Sequence, residues 1–345
     1  MRRPAHLGAH SGTLPCMRVV CANHSSYPRV AEGSKGQRLR RAYARRETGA
    51  LDDAGYRQVV RDYAAEIIAE QQDAGCDVVT DGLVGWYDLI NRPATHLDGV
   101  RSAGIVRWFD TNTYVRQPEI VGHPSGTFGL AAEFADAAKA ATGQLKAVLP
   151  GPYTLARHSI MTANGDLTSL AAAYADATAA EIAHLAKAGC TFLQIEEPSL
   201  LKFPDDADLV RNALIRAVKD RGGVKVSLVT YFGDATPIYG ELLKMPVDML
   251  GFDLTYGPHV AELLAAQPPD VPVAVGAVDG RNTKLDATDE VAGTVGRIAE
   301  ALDTKGIGEI HLQPSCGLEF LPRDRAKRKL ERMREIADAV SGVKA

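Results

Sequence analysis

Residues 309–322 read EIHLQPSCGLEFLP and put a thiol, Cys316, where an apolar run gives way to a tight polar turn. Similar junctions recur along the chain. Apolar runs end in His24, Ser25 and Ser26, then in Asp81, Glu196 and Glu197, Thr230 and Tyr231, Asp253, then Asp279, Arg281 and Asn282, and last in Gln313 and Cys316. Carboxylates at such ends can take a proton or hold a cation. One strong cation, Arg281, stands among them, so a pocket built from this set suits an ammonium group or a metal ion. Each acid alone serves equally well as a turn or helix cap, and a free cysteine ordinarily packs in a core. A metal would find only Cys316 and Asp253 as ligands, because no HExxH or CxxC occurs and His24, His158 and His311 are dispersed.

The elements that would carry these residues are short. Strands are expected at Met17–Ala22, Cys76–Asp81, Lys146–Leu149, Phe192–Glu196, Lys225–Val229, Met249–Leu254, Val273–Val278 and Glu309–Leu312, the last stopping before Pro314 because proline has no amide hydrogen to give. Helical periodicity covers Asp53–Ala74, Asp166–Lys187, Asp286–Leu302 and Arg323–Val340. Strand–turn–helix units of this kind imply a parallel α/β fold. NHSSYPRV after the first run lacks the glycine fingerprint of many doubly wound sheets. The expectation is therefore a closed (β/α)8 TIM barrel, whose carboxyl strand ends form the site. Residues 86–126 break the pattern around WFDTNTYVRQPEI and read as an irregular, strand-rich insertion over the barrel mouth.

Composition narrows the function. The chain has 345 residues, 46% hydrophobic and 24% charged, with a net charge of −4. That balance argues against a nucleic-acid partner, and no apolar run is long enough to span a bilayer. Residues 1–16 lack the apolar stretch of a secretory signal; they are expected to be a disordered leader, with 17–345 a single barrel. Five scattered cysteines fit a reducing cytoplasm better than a disulfide framework. Residues 34–46 carry Lys35, Arg38, Arg40, Arg41, Arg45 and Arg46, either a solvated helix face or a dock for a polyanion.

SSYPRV, QRLRRAYARRETGALD, WFDTNTY, LPGPYTL, LQIEEPSL, TYFGD, GAVDGRN and QPSCGLEFLP occur in an order that resembles the cobalamin-independent methionine synthase family. The resemblance covers most of the chain, is nearest to the family's amino-terminal barrel, and extends to the superfamily that includes uroporphyrinogen decarboxylase. It implies methyl transfer from 5-methyltetrahydrofolate to a small thiol or amino acid. In the family's catalytic barrel a zinc ion bound by His, Cys, Glu and Cys activates the thiol. Here Cys316 matches the last cysteine and Asp253 the glutamate, while Leu228 and Thr230 fall at the His-x-Cys pair. The resemblance makes Glu196, Asp253, Cys316 and Arg281 the catalytic candidates. His24, Ser26, Asp81, Trp108, Tyr231, Asp279 and Asn282 are the substrate-binding ones, with Arg38, Arg40 and Arg41 on the folate glutamate tail. Three functions follow: a methyltransferase working without the complete zinc site, a folate-binding barrel paired with a separate catalytic or donor-supplying protein, or a metal-independent lyase.

Overall fold

Gln194 and Glu196 face inward while their strand neighbours Leu193 and Ile195 pack outward against helices, an alternation that buries both faces of the sheet. A computed structural model describes residues 17–31, 36–161 and 165–342, so the expected leader lies outside the described residues. Strand β1 (Arg18–Cys21) pairs with β11 (Glu309–Pro314), and the parallel order continues through β10 (Val273–Val278), β9 (Met249–Asp253), β8 (Lys225–Val229) and β7 (Phe192–Glu196) to β6 (Ala147–Pro150). The ring closes through β2 (Val78–Val79). It meets β1 at an Ala22–Val78 bridge and pairs with β5 (Gln144–Leu145). Only Lys146 separates β5 from β6, and its amide donates to the Val79 carbonyl at 2.9 Å, so β5 and β6 are one barrel strand. The chain is a TIM barrel, with helices such as Asp53–Asp73, Leu167–Lys187 and Arg323–Val340 outside it.

Local signals explain most boundaries. Asp52 and Asp166 cap the first two of those helices by accepting from Gly55 and Ser169 amides, each at 2.8 Å. Gly75, at φ +91°, ends the first in a conformation that glycine adopts freely. One expectation fails: β11 runs on through Pro314. The β10–β11 register slips between Gly276 and Val278, so Pro314 occupies the final pair, opposite Val278. The next amide, Ser315, makes the bond to the Val278 carbonyl at 2.8 Å, and the missing donor costs nothing.

The barrel interior is layered. Val20, Ala22, Val78, Phe192, Met249 and Ala274 form an apolar floor. Above it Lys146, 3% exposed, donates to Gln194 Oε1 at 2.6 Å. The insertion folds as an antiparallel hairpin, β3 (Asp98–Arg107) and β4 (Tyr114–Ser125), whose tip carries Trp108 and Phe109. No described helix is long and apolar enough to cross a membrane.

Candidate active site

Glu196 ends β7 on the inner face, and its carboxylate is fully engaged although buried. Tyr231 OH donates to Oε2 at 2.8 Å, Gln194 Nε2 donates to Oε1 at 2.8 Å, and His24 Nδ1 lies 3.4 Å from Oε1. Burial pushes the Glu196 pKa up, but these bonds, His24 first, outweigh it and hold the group below the usual range. His24 is wholly buried in the turn after β1. Burial lowers its pKa against the pull of Glu196, so we take the ring as neutral. Its Nδ1 also meets Ser25 Oγ at 3.0 Å, and its Nε2 has no partner among the described residues. A proton on Nδ1, facing the carboxylate, leaves the Nε2 lone pair free.

Cys316 follows β11 beside this group, packed with Val229 and Tyr231. Burial, then the Glu319 and Asp253 carboxylates, raise its pKa well above the ordinary value. The thiol therefore stays protonated and donates to the Gly317 carbonyl at 3.4 Å. Asp253, raised by burial to about 6, accepts from the Phe232, Thr255 and Tyr256 amides at 3.1, 2.8 and 3.0 Å. Those bonds tie the loop after β8 to the loop after β9. Asp279 accepts from the Arg281 amide at 2.8 Å and from the Asn282 side chain, fixing the loop after β10. The Asp279 charge also bears on Asp253. Glu197 turns away and caps the helix Pro152–His158 through Tyr153 and Thr154 amides at 3.0 and 2.8 Å.

An aromatic wall covers the mouth. Phe109 from the hairpin and Phe232 from the loop after β8 meet at a tilt of 56° with centroids 5.5 Å apart, and Phe232 also meets Tyr256 and Phe320 edge-on. Phe109 (φ 49°) and Phe232 (φ 66°) both have left-handed backbones, which for bulky residues cost about 1–3 kcal/mol each and concentrate at functional sites. Arg281 lies over the Phe232 and Tyr256 rings, at 5.2 and 4.7 Å. Trp108 is buried against His158 at 4.9 Å, and its indole nitrogen has no partner among the described residues.

Several expected residues sit elsewhere. Asp81 lines a small cavity, about 20 Å³, with Leu83, Trp86, Glu133 and Lys146, and its carboxylate turns back to the Leu83 amide at 3.0 Å. Arg38 is spent on Glu66 at 3.0 Å and on the Tyr63 ring, whereas Arg40 and Arg41 are exposed. Leu228 packs outward into the helix layer; its neighbours Val229 and Tyr231 are the ones facing Cys316, since Val229 pairs in register with inward-facing Glu196. Sequence reading missed Gln194, Lys146 and Glu319. The first two lie inside apolar runs, and Glu319 stands only three positions past Cys316. A second cavity, about 570 Å³, opens at the opposite end of the barrel between Arg18, Lys225, Glu309 and His311.

Residues 22–339 match the family described as cobalamin-independent synthase, catalytic domain. The chain belongs to that family. Methionine synthases of Saccharolobus islandicus are 29% identical over 315 residues, spanning 90% of this chain and 91% of theirs. That of Thermococcus kodakarensis is 27% identical, spanning 89% of each. The fold matches a B12-independent methionine synthase from Shewanella, solved in complex with selenomethionine, at a TM-score of 0.74 and 21% identity, over 95% of this chain and 97% of that one. A methyltransferase from Methanosarcina mazei matches at a TM-score of 0.60 and 14% identity, over 95% of each. The chain is thus a methionine synthase-like methyltransferase.

The family's zinc can be tested against the donors present. Among the described residues no three His, Cys, Asp or Glu side chains gather as a metal site. Of the two candidate ligands, Asp253 is engaged by backbone amides, and Cys316 packs beside Val229 and Tyr231, neither of which is a zinc ligand. This donor set does not fit zinc.

Proposed function

We propose that the chain moves a methyl group from 5-methyltetrahydrofolate, or a related donor, to a small amino-acid or thiol acceptor in the cytoplasm, using a histidine base in place of zinc. The observation that carries the reading is the unpartnered Nε2 of His24, with Nδ1 backed by Glu196. As the acceptor atom attacks the methyl carbon, His24 Nε2 takes the acceptor's proton and Glu196 stabilises the imidazolium that forms. The bond from acceptor to methyl forms while the donor's C–N bond breaks and its electron pair stays on nitrogen. The departing amine gains one proton for the one the acceptor loses.

Phe109, Phe232, Tyr256 and Phe320 suit the flat face of a pterin. Asp253, Asp279 and Asn282 act as positioning residues for the loops that carry this wall. Cys316 as a neutral thiol packs beneath the acceptor. Arg281, held by Asp110 at 3.0 Å, secures the hairpin over the donor and is thereby less suited to the carboxylates a lyase would bind.

The test is incubation of the purified chain with a methyl-labelled donor and a panel of thiols and amino acids. Labelled product that disappears with His24→Ala supports the reading. Product only after addition of a separate catalytic barrel would favour a folate-binding partner module instead.

A further inference from the structure

Gly317 is bare on the side that faces the loop after β1. A Cβ there would collide with both Ser26 Oγ and Glu319 Oε2 and would come within 3.1 Å of Ser25 Oγ. Two oxygens from opposite ends of the chain thus crowd together against Gly317, in a position that only a residue without a Cβ leaves to them. Neither has a hydrogen-bond partner among the described residues, although Ser26 is only 5% exposed and Glu319 Oε2 is shielded from solvent. Buried polar atoms without partners are rare in folded proteins. Two further orphans stand in the same turn, Asn23 Oδ1 and His24 Nε2, and the second belongs to the base already described.

The charges around the cradle are carboxylates, with Arg29 acting against them. Glu319 feels Glu196, and its own charge bears on Cys316 and Tyr231, which places it between β11 and the Glu196 group. The nearby cations are occupied: Arg29 donates to the Trp86 and Tyr87 carbonyls, and Arg281 is paired with Asp110. Burial and Glu196 push the Glu319 pKa up to about 7, against the pull of Arg29. A cation placed there would relieve that strain, and a carboxylate would add to it.

We propose that Glu319 and Ser26 bind the cationic group of the acceptor across Gly317, so that the acceptor is a small primary amine held by its ammonium rather than by a carboxylate. This deepens the methyltransferase reading and rests on it for the identity of the ligand as acceptor. Three hydrogens of an ammonium match an accepting carboxylate and an accepting hydroxyl. Glu319 in this role is a specificity-determining residue and takes no proton from the reacting atom.

The test is calorimetric binding, without methyl donor, of L-homocysteine, its decarboxylated analogue 3-mercaptopropan-1-amine and its deaminated analogue 4-mercaptobutanoate. The two amines should bind about ten-fold or more tightly than the deaminated acid, the scale of a lost charged hydrogen bond. Glu319→Gln, which keeps size and shape, should erase that preference, and Ser26→Ala should reduce it. Circular dichroism and melting of each variant establish that it folds. Equal affinity for the acid and the amines, or an unchanged preference in Glu319→Gln, overturns the proposal. Because binding is read without turnover, a chain that binds amines selectively yet transfers no methyl group would sink the catalytic reading and leave this one standing.

Discussion

Asp110 at the hairpin tip and Arg281 in the loop after β10 are 171 positions apart and meet at 3.0 Å. This contact joins the insertion to the barrel rim, where Arg281 also lies over the Phe232 ring that meets Phe109. Asp110 is largely exposed, so Asp110→Ala should change folding stability by less than about 1 kcal/mol. Its effect should instead be local: faster hydrogen exchange at residues 108–113 and a higher KM for the donor with kcat nearly kept. Exchange rates identical to wild type would show that the pair does not hold the hairpin.

His24 and Glu196 act as a unit in the proposed chemistry, and units are non-additive. His24→Ala or Glu196→Gln alone should lower kcat by about 100-fold or more. The double variant should be little worse than His24→Ala. Independent, multiplying losses would mean that the carboxylate does not work through the imidazole.

The pH profile follows from the same pair. Burial lowers the His24 pKa below 6.5, so the base stays free through neutrality and the acid limb of kcat lies below 6.5. Glu196→Gln removes a group that raises the His24 pKa and should move the limb further down. A limb above 6.5 in the native enzyme would assign it to another residue.

His158 gives a stability prediction. Burial, and then the Lys202 charge, lower its pKa to about 4 from 6.5. Between those values the unfolded chain takes up a proton that the folded chain refuses, so stability is complete above pH 6.5 and falls as pH drops toward 4. His158→Phe should flatten part of that fall in thermal melts between pH 7 and 4. An unchanged slope would place the acid sensitivity elsewhere, for instance at His24 or His311, whose pKa values burial also lowers from 6.5.

Metal content separates this mechanism from the zinc one. The purified chain should hold far less than one zinc per molecule, and chelators should leave turnover unchanged. Stoichiometric, tightly held zinc would require a ligand set different from the one described.

On the basic helix, Arg40 and Arg41 are exposed while Arg38 is paired with Glu66. Arg40→Ala with Arg41→Ala should raise the KM for polyglutamyl donor more than for the monoglutamate. Equal rises would leave these arginines as a solvated helix face.

The residue pattern by itself determined the barrel, because alternating buried strands with capped helices between them leave few other ways to cover both faces of a sheet. Phe192–Glu196, Lys225–Val229 and Val273–Val278 have the boundaries read from the letters alone, since turn residues close them. The convergence of Glu196, His24, Tyr231, Asp253 and Cys316 was also legible, as strand ends in a closed barrel meet at one rim. What each of them does was not. Only the tertiary structure decided that Asp253 is occupied by three amides, that Asp81 turns away, and that Val229 rather than Leu228 faces inward. Hydrogen-bond partners and strand facing depend on register and on neighbours distant in sequence, and a one-residue slip reverses every side chain. For the same reason Ser26 and Glu319, nearly three hundred positions apart, become a pair only when β1 and β11 lie side by side.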